Sequence, residues 1–409
     1  MPNVRAASDS PTLQQLIDEY CPDGVEFKKL GDIGTRQSGT NITAKQMKDL
    51  DDPLGDVKVF AGGNTVANIH SNLLDERNIH TRPSIIVKSR GHIGFAYYDG
   101  PFTHKNELWS YYFDEEIGRT KFLYYYLLTQ APKLQFLASS KSVKLPQIAV
   151  GDTDELLVPV PPLPVQDKIV EILDAFTELE AELEAELEAR RKQYAFYRDQ
   201  LLTFTERERV RWVTLADIAL SHTSGGTPKA GKPEFYDGGT IPWLRTQEVR
   251  FNEIWDTEVK ITETAVKETA AKWIPENCVI VAISGATAGR SAVNKIPMTT
   301  NQHCCNIEVD PNQALYRYVF YWVSARYQDL KSAGRGARSD LNSHIILSLP
   351  IPIPPLRVQR AIVEKLDAFD GLVSDLSEGL PAEIAARRSQ YEYYRDQLLT
   401  FTPLGNLNA

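Results

Sequence analysis

The chain has 409 residues, too many for one ordinary domain and enough for two to four. Its 42% hydrophobic and 24% charged residues are those of a globular protein, and no apolar run approaches the roughly 18 residues that cross a bilayer, so cytoplasm is the expected location. The net charge of −9 excludes a uniformly basic nucleic-acid binder, although the acid is uneven: residues 159–205 hold 5 basic and 10 acidic side chains.

The opening MPNVRAASDS lacks the apolar core of a signal peptide, and residues 1–24 read as an N-terminal helical arm. Residues 25–158 mix short β-type runs (SIIVK at 84–88, HIGFAYY at 92–98, ELWSYYF at 107–113) with turns, then an aromatic helical run, KFLYYYLLTQ at 121–130, and a polar loop at 139–144. Loop residues suited to nucleic acid here are Arg36, Asn41, Lys45, Asn64, Lys88, Arg90, Lys105, Asn106, Lys141 and Lys144. Arg suits guanine and Asn or Gln suits adenine in the major groove, while Lys beside small residues suits phosphate. The plain alternative for each is a solvated charge.

Residues 159–205 open with PPLPVQ, whose prolines end the domain and start a helix. Ile169, Leu173, Phe176, Leu183, Leu187, Tyr194, Tyr197 and Leu201 form a 4-3-4-3 stripe interrupted at Glu180 and Arg190, the pattern of a coiled-coil seam. Within it ELEA occurs three times, at 178–189. Each unit is about one helical turn, which makes the tract either a solvated acidic face or a length module.

Residues 206–350 form a second mixed domain, with CVIVAIS at 278–284, NIEVD at 306–310, the aromatic run ALYRYVFYWVSARYQDL at 314–330 and the loop GRGARS at 334–339. Its candidate contacts are Lys229, Lys232, Tyr236, Arg245, Gln247, Arg290, Asn301, Gln302, Arg335 and Arg338. A second helical segment, 351–402, repeats the first: PPLRVQ answers PPLPVQ, LDAF at 173–176 recurs at 366–369, and YRDQLLTF at 197–204 recurs intact at 394–401. Four additional residues lie between the two motifs in the second copy, and Gly379 with Pro381 should kink or split that helix. Residues 403–409 are a tail. The fold class is therefore α+β: two mixed α/β domains separated by two long helices that form an antiparallel coiled-coil spacer, with an internal pseudo-two-fold repeat.

No phosphate loop, strand–GxGxxG–helix, Asn/Asp-Pro-Pro-aromatic tetrapeptide, metal-spaced Cys/His set or spaced triad occurs. That points away from an enzyme, whether ATPase or methyltransferase fragment, and from a metal site. Two classes stay open, a DNA-binding protein and a coiled-coil scaffold with two non-DNA binding domains.

The repeated PPLPVQ…LDAF and YRDQLLTF segments, together with SGGTPKAGKPEFYDGGTIPWLRTQEV at 224–249 and VIVAISGATAGR at 279–290, resemble the specificity (S) subunits of Type I restriction-modification enzymes over nearly the whole chain. The first domain lacks the GGTP and PWL elements and resembles another class of recognition domain. The resemblance implies a non-catalytic subunit whose two target recognition domains each read half of an asymmetric, split DNA site. It implies helices that set the gap and dock two methyltransferase (M) subunits, with motor-nuclease (R) subunits added. S-adenosylmethionine, ATP and magnesium would belong to those partners, with no cofactor in this chain.

Overall fold

The computed structural model describes residues 11–141, 145–205, 210–334, 340–374 and 379–405. The chain divides into two compact units, residues 1–182 with 384–409, and residues 183–383. The division does not follow the domain–spacer plan of the sequence, because each unit takes one recognition domain and half of each long helical segment. On the first helix it falls inside the ELEA tract, between Glu182 and Leu183.

In the first unit, strands β1 (Phe27–Lys29), β2 (Gly34–Gln37), β3 (Val57–Phe60), β4 (Val66–Ile69), β5 (Ser84–Lys88), β6 (Gly94–Tyr98), β7 (Phe102–His104), β8 (Trp109–Phe113) and β9 (Leu157–Pro159) build three sheets. Their orders are β2-β8-β5-β6, β4-β3-β7 and β1-β9. The continuous apolar run of β5 reflects burial on both faces, with Ile85, Ile86 and Val87 fully covered. The aromatic helix Thr120–Lys141 is longer than its sequence signal: it carries Pro132 inside and takes in residues 139–141, expected as loop.

The second unit repeats this plan with β10 (Arg211–Thr214), β11 (Ala219–Ser224), β12 (Ile241–Leu244), β13 (Glu253–Ile254), β14 (Lys260–Ile261), β15 (Trp273–Ile274), β16 (Val279–Ala282), β17 (Ser291–Asn294), β18 (Met298–Thr300), β19 (Cys304–Val309) and β20 (Pro350–Ile353). Its sheets run β11-β19-β16-β17-β13, β14-β12-β18-β15 and β10-β20. The parallel pair β3–β7 has its counterpart in β12–β18, and the closing pair β1–β9 in β10–β20. The second aromatic segment breaks at Arg326 into helices Tyr316–Ala325 and Tyr327–Ala333. Cys278, Cys304 and Cys305 are buried, and burial pushes the Cys278 thiol up to about 12.

The first spacer helix runs unbroken from Leu163 to Leu201, and the second is split into Leu356–Ser374 and Leu380–Leu398, as Gly379 and Pro381 predict. Within the first unit Phe176 stacks on Tyr394, with centroids 5.7 Å apart, while Glu180 pairs with Arg388. As the numbering rises on one helix it falls on the other, so the packing is antiparallel. Glu180 is thus a cross-helix ion pair rather than a gap in the seam. Within the second unit Tyr197 stacks on Phe369 at 5.6 Å. In both units the LDAF phenylalanine of one copy meets the YRDQLLTF tyrosine of the other.

The repeated motifs also fasten each domain to its helix. Gln166 is fully buried; its amide donates to the Pro161 carbonyl and accepts from the Arg119 amide. Gln359 does the same with the Pro354 carbonyl and the Leu315 amide. Asp174 accepts from Tyr125 and Lys121; Asp367 accepts from Tyr321 and Arg317. Buried polar groups held this way fix a register that apolar contact alone leaves free.

Candidate nucleic-acid interface

Each domain brings the same loops to one rim of its sheets. In the first, the β7–β8 turn carries Lys105 and Asn106. The Lys105 amide donates to the Phe60 carbonyl, at the end of β3, and the Thr40 amide donates to the His104 carbonyl at 2.7 Å. Lys88, at the end of β5, donates to the Asn64 side chain in the β3–β4 turn at 3.0 Å. The loop after β5 is tied to the segment after the aromatic helix, Ile148 N to Ser89 O at 3.0 Å, and Arg90 bridges Gln147. Asn41, Asn64, Lys88, Arg90, Lys105 and Asn106 therefore stand along one rim.

In the second domain the turn after β18 carries Asn301 and Gln302, and the Asn301 amide donates to the Leu244 carbonyl at the end of β12. The Gly226 amide donates to the Thr300 carbonyl at 2.9 Å, and Leu341 N to Ile283 O at 2.8 Å closes the loop after β16. These three main-chain bonds answer those of Lys105 to Phe60, Thr40 to His104 and Ile148 to Ser89 in the first domain. Gly39 and Gly225 show why small residues open this segment. A Cβ on Gly39 would sit 2.4 Å from the His104 carbonyl oxygen, and one on Gly225 would sit 1.8 Å from that of Thr300. Ser38-Gly39-Thr40 thus occupies the place of Ser224-Gly225-Gly226. The GGTP and PWL elements are absent from the first domain's sequence, but their structural positions are filled.

The side chains on the two rims differ. In the first, Lys105 pairs with Glu107 at 2.7 Å. Burial works against the Glu107 carboxylate, but Lys105 and the charge of Arg90 hold its carboxyl below the usual range. Arg36 lies on β2, paired with Asp154 at 3.0 Å, and Lys45 is exposed on the short helix Ala44–Leu50. Lys141 ends the aromatic helix, and Lys144 lies outside the described residues.

In the second, Arg245 is held by Glu258 and Glu248 beside the exposed Gln247. Arg290 is half-buried, and its guanidinium makes no hydrogen bond or ion pair among the described residues. Asn301 is buried, accepting from the His303 amide and the Cys304 thiol, so it braces the turn from beneath while Gln302 is exposed and bonded to Thr227. Lys229 is exposed, Lys232 pairs with Glu234 over the Phe235 ring, and Tyr236 donates to the Pro228 carbonyl. Arg335 and Arg338 lie outside the described residues. Sequence reasoning passed over Thr227 and His303, which stand beside Gln302 on the same rim. The run Asn301-Gln302-His303, three polar residues closing an apolar strand, was the available signal.

Two topologically matched domains, each with a polar rim and each followed by a long helical segment, define a protein built on an internal repeat. A model described as the Type I restriction modification DNA specificity domain matches residues 22–189 and 208–386. The chain belongs to this family and is a specificity subunit of the Type I restriction-modification class.

It is 32% identical to the Type I restriction enzyme EcoR124I/EcoR124II specificity subunit of Escherichia coli over 96% of this chain and 98% of that one. A putative type I restriction enzyme specificity subunit of Haemophilus influenzae is 30% identical over 69% of this chain and 72% of its own. The crystal structure of the S subunit from M. genitalium shares the fold, with TM-score 0.56 at 17% identity, covering 92% of this chain and 96% of that one. Among the described residues no helix is long and apolar enough to cross a membrane.

Proposed function

We propose that each domain reads one half of an asymmetric bipartite site in double-stranded DNA, and that the long helices set the unread gap and dock two methyltransferase subunits. The observation that carries this reading is the matched pair of rims: one scaffold in both domains, with Lys105 and Asn106 on the turn of the first where Asn301 and Gln302 stand on the turn of the second. Equal frames with unequal contacts suit two different half-sites.

Docking of two copies of one partner is supported by the repeat itself. Asp199, Gln200 and Thr203 are exposed, and so are their counterparts Asp396, Gln397 and Thr400. Exposed positions gain little from core packing, so their identity in both copies suits two equal docking faces. The chain itself would be non-catalytic and act in the cytoplasm. Motor-nuclease subunits would complete the assembly, and S-adenosylmethionine, ATP and magnesium would act on those partners.

The test is mapping of methylated adenines in a genome expressing this chain with its methyltransferase. An asymmetric split motif is expected; a perfect palindrome would overturn the reading. In the same assay Arg290→Ala should weaken recognition of one half-site only, by about 1–3 kcal/mol if a base contact is lost.

A further inference from the structure

Beneath the first domain's rim lies a chain of buried polar side chains. His104, Ser84 and Ser110 are fully buried. His104 Nδ1 is 3.2 Å from the Lys105 carbonyl oxygen, and Nε2 is 3.1 Å from Ser110 Oγ. Ser110 Oγ is in turn 2.8 Å from the end of the Gln37 amide, which also lies 3.3 Å from Ser84 Oγ. Ser84 Oγ donates to the Arg82 carbonyl.

The hydrogens can be placed by inventory. A carbonyl only accepts, so Nδ1 must carry the hydrogen that points at Lys105. If Ser110 donated to a Gln37 carbonyl oxygen, Nε2 would also have to donate. The ring would then be a cation in a buried site with no carboxylate bonded to it, which is costly. With the Gln37 NH2 turned toward Ser84 and Ser110, the Ser110 hydroxyl donates to Nε2 and the ring stays neutral. Burial favours this neutral ring, pushing the His104 pKa down to about 4. One imidazole thereby joins β7 to β8 through Ser110 and clamps the peptide between Lys105 and Asn106.

We propose that His104 is a positioning residue for DNA reading by the first domain, setting the Lys105–Asn106 turn through the hydrogen that Nδ1 donates to the Lys105 carbonyl. This rests on the half-site reading above. The second domain places different groups at the same node: Asn306, paired to β11 and β16 in the sheet, donates to Thr300 Oγ1 at 2.8 Å. The turn there is braced instead by Asn301. Each rim thus has its own internal brace, and His104 belongs to the first alone.

Two substitutions separate positioning from packing. The amide nitrogen of Asn can take the place of Nδ1, whereas that of Gln takes the place of Nε2. His104→Asn should keep the bond to the Lys105 carbonyl, and His104→Gln should lose it. The experiment uses the full chain with its methyltransferase subunit. The substrate is a duplex library randomised in the half-site assigned to the first domain, with the other half fixed as mapped in the genome. Sequencing the methylated pool gives the preference for cognate over singly substituted half-sites.

H104Q is expected to lower that preference at least 10-fold while leaving the preference at the other half-site unchanged. H104N should remain within about threefold of the unsubstituted chain. H104Q with full preference overturns the inference, as does a folded H104N that loses it. If H104Q fails to fold, H104N alone decides on the same criterion. An unsubstituted chain with no preference in that half overturns the half-site reading and this inference with it, whereas a preference that H104Q keeps overturns the inference alone.

Discussion

The Asp174 carboxylate accepts a hydrogen bond from the Tyr125 hydroxyl at 2.5 Å, joining the first spacer helix to the aromatic helix of its domain. Asp367 and Tyr321 repeat the bond in the second unit, with Arg317 in the place that Lys121 takes in the first. Tyr125 and Tyr321 are almost fully buried, so removing the acceptor strands a phenol in an apolar site. Asp174→Ala should destabilise the first unit by about 1–3 kcal/mol, and Asp367→Ala the second by as much or more. Urea unfolding followed by fluorescence would show it, and an unchanged midpoint for both would contradict the role assigned to the pair.

Gly39 and Gly225 make a second test. Alanine at either site would drive a methyl group into main-chain oxygen, and neither neighbour is the free end of a flexible side chain. Gly39→Ala should reduce methylation at least 10-fold through the first half-site, and Gly225→Ala through the second. A Cβ on Gly62 would meet nothing within 4 Å, so Gly62→Ala serves as the tolerated control. Equal activity of all three in a methylation assay would show that the close approach does not matter.

A pH dependence follows from His104. Burial holds the folded ring at about 4, below its ordinary 6.5, so the folded chain binds this proton more weakly than the unfolded one. The contribution of the neutral ring is fully present above about pH 6.5 and is lost as pH falls toward 4, to a limit of about 3 kcal/mol. His80, 6.0 Å away ring to ring, and Glu107 face the same node and are common to any variant. The stability difference between the unsubstituted chain and His104→Asn should therefore shrink between pH 7 and pH 4.5. Parallel pH profiles for the two chains would refute it.

The ELEA tract gives a ruler test. One four-residue unit lengthens a helix by about 6 Å at 1.5 Å per residue. Base pairs rise about 3.4 Å each, so adding or deleting a unit should shift the unread gap by one or two base pairs, with both half-sites unchanged. Variants with two, three and four units, mapped for methylated adenine, would check it. An unchanged gap with activity retained would show that the helix does not set the spacing.

What could be read from the sequence follows physical scale. The Leu163–Leu201 helix was legible because its period is long and its motifs recur, and the break at Gly379 and Pro381 because proline cannot continue a helix. The equivalence of Gly39 with Gly225 was not, since it depends on which carbonyl each glycine faces across the sheet. Nor was the burial of Asn301, whose type suits both a base edge and a turn brace. Glu180 looked like a flaw in the seam until Arg388 was seen opposite it.

The two rims are built on main-chain contacts: Thr40 to His104 in one, Gly226 to Thr300 in the other. Backbone bonds of this kind make no demand on the identity of the outward side chains. Each rim can therefore exchange its alphabet by point substitution while its frame stays still. Since the Thr40 and Gly226 bonds each close within one unit, a new word written on one rim leaves the frame of the other as it was. Such a molecule can acquire new combinations piecemeal, keeping one familiar half while the other drifts.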